Sequence, residues 1–199
     1  MPPPVLVPYD PGWPARFEAL RALIDATVGP DALRIDHIGS TSIPGLAAKD
    51  VVDIQVTVAS LAVADMWPDA LGRFRRRPHI DDHVPTGARA GADWQKRYWS
   101  SGDPAAHLHV REAGRANHRY ALLFRDYLRL HGDAAEGYAR EKLALAASCD
   151  DTSVYAEAKD PVCDRIARAA EAWATEVNWQ PDRGGATGRT LFPTVLPPA

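Results

Sequence analysis

The sequence is poor in cysteine, has little net charge and contains no long hydrophobic run. Only two cysteines, Cys149 and Cys163, occur in 199 residues, and they lack the C-x-x-C spacing typical of metal or redox sites. We therefore expect two buried free thiols rather than a disulfide or a catalytic thiol. The formal net charge of −3 provides no global field that would attract nucleic acid, so a nucleic-acid partner is not expected.

Targeting and membrane-spanning signals are also missing. The N-terminal residues MPPPVLVPYDPGW have neither the basic start nor the apolar run of a signal peptide. No apolar stretch approaches the roughly 20 residues that a transmembrane helix needs. We therefore expect a cytoplasmic protein that makes no membrane contact.

The bulk composition is that of an ordinary globular chain. Hydrophobic residues make up 46% of the sequence and charged residues 25%, which is typical of a soluble domain. We predict one domain over residues 1–179, a length that can bury a full core. Residues 180–199 are rich in Gly, Pro and Thr, which predicts a flexible C-terminal tail.

Hydrophobic periodicity predicts a mixed first half and a helical second half. The Asp10-Pro11 pair begins a helix that ends near Gly29-Pro30. The other predicted elements are strands at 33–38, 51–58, 95–100 and 106–112, a helix over 61–74 that is interrupted at Trp67-Pro68, a short strand and then a mobile loop within 75–93, and helices beginning near Asn117, Asp133 and Asp160. This pattern indicates an α/β (α+β) fold, with a mixed β-sheet packed with helices and a helical C-terminal half.

The most informative segment is RIDHIGSTSIPGLAAKDVVDIQVTV, residues 34–58, which predicts a strand, a turn of small residues and a second strand with a carboxylate. Gly39 permits backbone conformations that a Cβ would forbid, and Ser40 and Thr41 supply hydroxyls that can bind phosphate oxygens. Asp53 lies in an otherwise apolar strand, where a carboxylate needs a metal or a hydrogen-bonding partner. This spacing is typical of a nucleotidyltransferase active site.

The residue two positions after Asp53 determines how well the segment suits a metal. Gln55 shares a strand face with Asp53, at the place where many nucleotidyltransferases have a second carboxylate that chelates Mg²⁺. An amide oxygen can ligate a metal but adds no negative charge. The pattern predicts a weak Mg²⁺ site at Asp53 and Gln55. The structural alternative is an Asp53 bonded to backbone and Lys49.

His107 and His109 flank Leu108, so on a strand both imidazole rings project to one face. Together with Asp53 they could bind a single transition metal, act as an acid or base, or hold phosphate. The alternative is an ordinary polar strand face. We favour the acid/base or phosphate-holding role over the metal, because surrounding cations would repel a second positive centre.

Several basic residues flank these motifs and would suit a polyphosphate or an anionic coenzyme if they converged on one pocket. Lys49 precedes the Asp53 strand, and Lys96 and Arg97 precede the histidine strand. Arg119 lies in the first turns of the next predicted helix. The predicted phosphate site comprises Gly39, Ser40, Thr41, Lys49, Lys96, Arg97 and Arg119.

Five separate motifs resemble the GrpB family. They are, in order, VPYDPGWPARFEAL, GSTSIPGLAAKDVVDIQV, KRYW, HLHVRE and NHRYALLFRDYLR, within a resemblance that runs from about Val7 to Trp179. The resemblance implies a nucleotidyltransferase-like fold in which Gly39, Ser40 and Asp53 match the family's motif, while Gln55 departs from its second carboxylate. A similar domain is fused behind a dephospho-CoA kinase in some actinobacterial proteins, and the GSTS segment looks particularly like that version. The sequence has no G-x-x-x-x-G-K-[ST] loop, so the chain is not expected to be the kinase itself.

These observations predict a transferase whose partner is a small molecule, either a nucleotide or a nucleotide-containing coenzyme such as coenzyme A. The leading interpretation is nucleotidyl transfer with Mg²⁺, with Asp53, His107 and His109 as the catalytic residues. The first alternative is acyl transfer or amide formation from a CoA thioester, which needs a base such as His109 and no metal. The second alternative is a non-catalytic nucleotide- or CoA-binding module that supports a partner enzyme.

Overall fold

A computed structural model of the protein describes residues 2–78 and 81–181. The predicted flexible tail, residues 180–199, lies outside the described residues from position 182 onward. The single domain over residues 1–179 stays a prediction.

Six strands form one mixed sheet in the order β1-β2-β6-β5-β4-β3. Strands β2 and β6 are parallel, and every other neighbouring pair is antiparallel. The strands are β1 (Arg34–Ile38), β2 (Val52–Val58), β3 (Ala70–Leu71), β4 (Phe74–Arg76), β5 (Arg97–Gly102) and β6 (Ala105–Glu112). The mixed sheet and the helices that pack on it confirm the predicted α/β fold class.

One face of the sheet is apolar and packs against helices α1 (Trp13–Val28) and α2 (Leu61–Asp65). Residues at alternate positions of β2 point to this face and are fully buried, and the stripe of α1 that meets them consists of Trp13, Phe17, Leu20, Ile24 and Val28. Burial of each large apolar side chain contributes about 1.5–3 kcal/mol. This layer holds β2 and β6 side by side beneath the polar face.

The opposite face carries the polar residues and is covered by the helical C-terminal half. Helix α3 (Ala116–Leu130) contacts β1 and β6 and packs with α4 (Gly132–Ser148) and α6 (Asp160–Glu176), and α5 (Thr152–Ala158) packs with α4 and α6. Buried charges beneath α3 are paired, since Arg34 and Arg125 both contact the carboxylate of Asp36. The fold therefore places polar chemistry in the layer between the sheet and these helices.

The predicted helix over 61–74 is wrong beyond its first turns. Helix α2 ends at Asp65, and a hairpin of β3 and β4 follows. Pro68 has no N–H to continue the helix, and Gly72 adopts a positive φ of 58° in the hairpin turn. The strand predicted at the start of 75–93 corresponds to β4.

Neither cysteine forms a disulfide, as predicted: Cys149 is buried and Cys163 is half-buried. Among the helices of the described residues, none combines the length and the apolar character needed to cross a membrane.

Candidate active site

Asp53 and two histidines meet on the polar face, where β2 and β6 run side by side. In the parallel register Asp53 lies opposite His107, and Gln55 lies opposite His109. The Asp53 Oδ1 atom is 3.1 Å from Nδ1 of His107 and 3.5 Å from Nε2 of His109. The predicted shared face of the two histidines is confirmed, and with Asp53 they form what we call the Asp–His cluster.

The Asp–His cluster keeps Asp53 ionised. Burial alone would raise the pKa of this carboxyl, but hydrogen bonds from His107 and His109 outweigh burial and hold it well below its ordinary value. An ionised carboxylate only accepts, so Nδ1 of His107 carries the proton in this pair. In the neutral ring, Nε2 of His107 is then unprotonated and can accept a proton.

Burial and a neighbouring lysine keep His109 in its neutral form. Burial and the nearby Lys96 lower the pKa of His109 to about 4. The Lys96 Nζ atom lies 3.3 Å from Nδ1 of His109 and 2.6 Å from Oδ1 of Asp82. An ammonium only donates, so Nδ1 of His109 accepts and the ring proton lies on Nε2, toward Asp53.

Gly39 allows the turn after β1 to approach Asp53. Its φ is +68°, and a Cβ at this position would lie 2.4 Å from Oδ2 of Asp53. The chain then continues into a 3₁₀ turn over Ser40–Ser42, in which the hydroxyl of Ser42 donates to the Gly39 carbonyl. The small residue predicted from the sequence is therefore required both by the backbone conformation and by the carboxylate beside it.

The Asp–His cluster forms one wall of a cavity of about 290 Å³. Ser40 and Thr41 enter from the turn, and Lys49 enters from the loop before β2. Lys142 comes from α4, and Lys159 lies between α5 and α6. The other lining residues are Leu6, Ala48, Val51, Tyr155 and Ala156.

Lysine supplies the positive charge of this cavity, although most cations of the chain are arginine. The sequence has four lysines and nineteen arginines. Lys49, Lys142 and Lys159 line the cavity, and the fourth lysine, Lys96, contacts His109 behind it. Within residues 2–78 and 81–181, Lys96 is neutralised by Asp82, whereas the three lining lysines take part in no ion pair. The cavity therefore holds positive charge that an anion could neutralise.

Lys142 is the most buried of these cations, with 2% of its surface exposed. It donates to Oγ of Ser40 at 3.0 Å and to the carbonyl oxygen of Ala47 at 2.6 Å. Burial and the neighbouring Lys159 lower the pKa of Lys142 to about 7. The same two causes, burial and Lys159, lower the pKa of Lys49. Lys159 is therefore close enough to lower the pKa of both other lysines.

The predicted Mg²⁺ ligand Gln55 is not brought to the cavity. Its side chain is fully buried; the amide oxygen accepts from Arg111 at 2.6 Å, and the amide nitrogen donates to the carbonyl of His118 at 3.3 Å. Asp53 is consequently left without a second acidic or amide ligand on its own strand. This donor set does not fit the two-carboxylate Mg²⁺ site of a nucleotidyltransferase.

A single transition metal also has a poor fit here. One ligand atom from each residue of the Asp–His cluster lies within 4.8 Å of the others, which is close enough to surround one ion. A metal-bound histidine, however, normally donates its second ring N–H to a carboxylate or carbonyl. His109 instead faces the ammonium of Lys96, which requires a lone pair at Nδ1 and so a proton at Nε2. The contact favours an acid/base site over a metal site.

Two predicted phosphate-binding arginines lie elsewhere. Arg97 projects to the apolar face of β5 and binds Asp65 of α2 through both Nε and Nη2. Arg119 binds Glu171 of α6 at 2.7 Å and lines a separate cavity between α3 and α6. Neither arginine lines the cavity that contains the Gly39-Ser40 turn.

Sequence reasoning missed Lys142, Lys159 and Tyr155. All three belong to the helical half, whose apolar stripes indicated only core packing. One local signal was available for α5, because Asp151 caps this helix by accepting from the backbone N–H of Ser153. No local pattern links these residues to a turn more than 100 positions earlier.

The mixed sheet, with a Gly-Ser turn that faces an aspartate on the next strand, defines a nucleotidyltransferase-like α/β protein. Residues 3–169 match the family described as GrpB protein, so the chain belongs to the GrpB family. Conserved protein GrpB from Enterococcus faecalis, a crystal structure, is similar with a TM-score of 0.69 and 26% sequence identity. That likeness covers 85% of this chain and 99% of the other.

Relatives with two different names are among the curated proteins that the chain resembles. A dephospho-CoA kinase of Mycobacterium tuberculosis (strain H37Rv) is 39% identical over 196 residues, which are 88% of this chain and 48% of the relative. UPF0157 protein BH1888 of Halalkalibacterium halodurans is 32% identical over 169 residues, which are 84% of this chain and 82% of that protein. The chain therefore spans about half the length of the dephospho-CoA kinases that it matches.

Proposed function

We propose that the cavity binds the phosphate groups of a nucleotide or a nucleotide-containing coenzyme, and that the Asp–His cluster catalyses transfer of a group carried by that ligand. One observation carries the proposal: an ionised carboxylate–histidine pair shares a cavity with three lysines that form no ion pair within the described part of the chain. The names of the dephospho-CoA kinase relatives support a coenzyme A-related ligand.

Charge and hydrogen-bonding capacity favour phosphate as the bound group. Lys49 and Lys159 are half-buried, so they can contact both a ligand and solvent. Ser40 adds a neutral hydroxyl to the same cavity, whereas the hydroxyl of Thr41 is buried and bonds to His37. A lysine that meets phosphate in a partly desolvated pocket forms a charge-assisted hydrogen bond, which contributes about 1.5–3 kcal/mol.

The Asp–His cluster suits proton transfer. Asp53 accepts from Nδ1 of His107 and so fixes the tautomer in which Nε2 is the base. His107 takes the proton of an attacking hydroxyl or amine, and the same nitrogen later returns it to the leaving group. His109, neutral and hydrogen-bonded through Lys96 to Asp82, helps to orient the carboxylate.

The metal ligands available around Asp53 help to decide between nucleotidyl transfer and acyl transfer. Nucleotidyl transfer, the leading sequence-based interpretation, uses Mg²⁺ to neutralise the phosphates when the ion is bound. With Asp53 as the single acid and Gln55 bonded to Arg111, the lysines would have to supply that neutralisation here. Acyl transfer or amide formation from a CoA thioester needs a base and a phosphate site but no metal, and this combination fits the cavity better.

A non-catalytic role is the second candidate function. It is favoured by the length of the match, since the chain corresponds to about half of proteins named dephospho-CoA kinase. In that case the cavity would hold a nucleotide or coenzyme for a partner enzyme, without turnover.

Ligand binding by variants of two predicted phosphate-binding residues tests the proposal. Calorimetric titration with CoA, acetyl-CoA, ATP and CTP, each with and without Mg²⁺, should identify at least one ligand. Lys49→Gln should weaken its binding by about 10- to 100-fold, because one charge-assisted hydrogen bond is lost. The matched control is Arg97→Gln, which removes a cation outside the cavity and should leave affinity unchanged.

A second arm of the same experiment separates catalysis from binding. Asp53→Asn should bind the ligand but lose turnover, because His107 loses its ionised partner. Equal affinity for every ligand in wild type and Lys49→Gln would contradict the phosphate site. Zinc or iron retained at one ion per purified chain would contradict the metal-free acid/base role.

A further inference from the structure

We propose that Ser40 is a nucleophile for acyl transfer and that Lys142 is its general base, a step that rests on the proposed coenzyme site for its physiological acyl donor. The Oγ atom of Ser40 lines the cavity, and Nζ of Lys142 lies 3.0 Å from it. A base within hydrogen-bond reach of a hydroxyl is the arrangement that activates serine nucleophiles. Serine–lysine pairs are a known variant of the catalytic triad.

The position of the Lys142 amine is fixed by its contacts. The carbonyl of Ala47 accepts a hydrogen bond from Nζ at 2.6 Å, and the ring of Tyr138 lies below Nζ with its centroid 4.6 Å away. Within the described residues no ion pair binds Lys142, so no carboxylate holds its proton in place. A buried amine of this kind can lose its proton near neutral pH, whereas an amine bound to a carboxylate could not.

Burial and the positive charge of Lys159 favour the neutral form of Lys142, and they outweigh Cys163 and the ring of Tyr138, which favour the ammonium. Lys159 is the nearest cation, and burial together with Lys159 lowers the pKa of Lys142 to about 7. Burial raises the pKa of the Tyr138 hydroxyl and of the Cys163 thiol, which contact each other beneath the amine, so both stay neutral at this pH. Across the cavity the other titratable groups are Lys49, Asp53, His107, His109 and Tyr155.

The location of Ser40 also suits a nucleophile. It follows Gly39 at a sharp turn after β1, with its side chain half-buried and facing the cavity. The hydroxyls of the next two residues have other partners: that of Thr41 bonds to His37, and that of Ser42 donates to the Gly39 carbonyl. Of these three hydroxyls, only that of Ser40 contacts an amine.

The proposed step conserves atoms and charge. Neutral Lys142 takes the proton of Ser40 as Oγ attacks the carbonyl carbon of an acyl thioester. The carbon–sulfur bond then breaks, and the thiolate leaves with the proton from the Lys142 ammonium. The products are an acyl-Ser40 ester and a free thiol. An amine or water, which gives its proton to His107, later takes the acyl group, and His107 returns that proton to Oγ of Ser40. Lys49 and Lys159 line the same cavity and can stabilise the developing negative charge.

Covalent labelling tests the pair without relying on the coenzyme site. The intact protein is incubated with p-nitrophenyl acetate, a small uncharged ester, and in parallel with acetyl-CoA, and the acetyl group is located by peptide mass spectrometry. We expect acetyl-Ser40 with both donors. The labelling rate should rise with pH and level off above about 7, where Lys142 is neutral. Ser40→Ala should abolish the label, and Ser148→Ala, at the exposed end of α4, should leave its rate unchanged.

The base is tested by Lys142→Arg, whose side chain is similar in length but stays protonated and so cannot act as a base near neutral pH. It should slow labelling of Ser40 by about 100-fold or more, the usual effect of removing a general base. If this variant does not fold in a thermal scan, the pH profile of the wild type decides. Absence of label on Ser40, label on Lys142 itself, or a rate without a plateau would overturn the proposal. If calorimetry shows that CoA binds but Ser40 is not labelled, only the Ser40–Lys142 pair is rejected. If p-nitrophenyl acetate labels Ser40 but CoA does not bind, only the proposed coenzyme site is rejected.

Discussion

Asp53 can occupy its position only because Gly39, in the turn after β1, has no side chain. Gly39 has a φ of +68°, and a Cβ there would approach Oδ2 of Asp53 to 2.4 Å. Gly45, six residues later, has a similar φ of +79° but nothing within 4 Å of a Cβ. Substitutions at the two glycines can therefore separate two losses of folding free energy: the loss from the left-handed backbone conformation, and the loss from crowding the carboxylate of Asp53.

We expect Gly39→Ala to be much more damaging than Gly45→Ala. A left-handed conformation costs a non-glycine residue about 1–2 kcal/mol, and Gly45→Ala should lose about that much free energy of unfolding in urea denaturation. Gly39→Ala should lose more, because Asp53 must also move, and it should abolish ligand binding in calorimetry. Equal losses of stability with intact binding in both variants would contradict this account.

At the scale of an element, the carboxylate of Asp82 joins residues 81–96, which precede β5, to the sheet. Asp82 accepts hydrogen bonds from Lys96, Arg111 and Asn117. Burial alone would raise the pKa of Asp82, but Arg111 and Lys96 outweigh burial and hold it well below its ordinary value. The same carboxylate therefore neutralises Lys96 behind His109 and connects the segment to β6 and α3.

Asp82→Asn should destabilise the protein by about 3–5 kcal/mol, because two nearly buried cations lose their counter-charge. Urea denaturation measures this loss. The control is Asp93→Asn in the same segment, which breaks an exposed pair with Arg115 and should cost less than about 1 kcal/mol. A loss of similar size in the two variants would mean that Asp82 does not fasten this segment.

At the scale of the whole molecule, buried neutral histidines make stability depend on pH. Burial, reinforced by Arg129, lowers the pKa of His37 to about 4, and burial likewise lowers the pKa of His118 to about 4. Between pH 6.5 and 4 the unfolded chain therefore binds more protons at these sites than the folded protein does. The free energy of unfolding must fall as pH decreases through this window.

The expected loss is about 1.4 kcal/mol per histidine for each pH unit, or on the order of 3 kcal/mol per histidine over the window. Urea denaturation at pH 7, 6 and 5 measures it. The carboxylates of Asp53 and Asp82 contribute in the same direction, but only below their ordinary pKa of 3.8. His118→Gln should show a shallower dependence than the wild type. Equal stability of the wild type at pH 7 and pH 5 would refute the expectation.

The sequence by itself determined the local parts of this protein. The pattern of residues 51–58 predicted a strand in which Asp53 and Gln55 share one face, and the HLHV pattern predicted two histidines on a shared face. The turn at Gly39 and the start of α1 were also predictable. Each depends on backbone geometry and on side chains a few positions apart, which the order of residues states directly. The prediction of a helix over 61–74 was wrong because the hairpin that follows Pro68 forms by pairing with β5, which lies far away in the sequence.

Only the tertiary structure decided which of these parts form a site. The parallel pairing of β2 with β6 brings Asp53 to His107 across 54 positions, and the docking of α4 brings Lys142 to Ser40 across 102. In the folded protein Gln55 is hydrogen-bonded to Arg111 instead of lining the cavity, and Arg97 binds Asp65 on the apolar face of the sheet. These outcomes depend on long-range packing and on which charges find partners when helices cover the sheet. No local pattern in the chain encodes them.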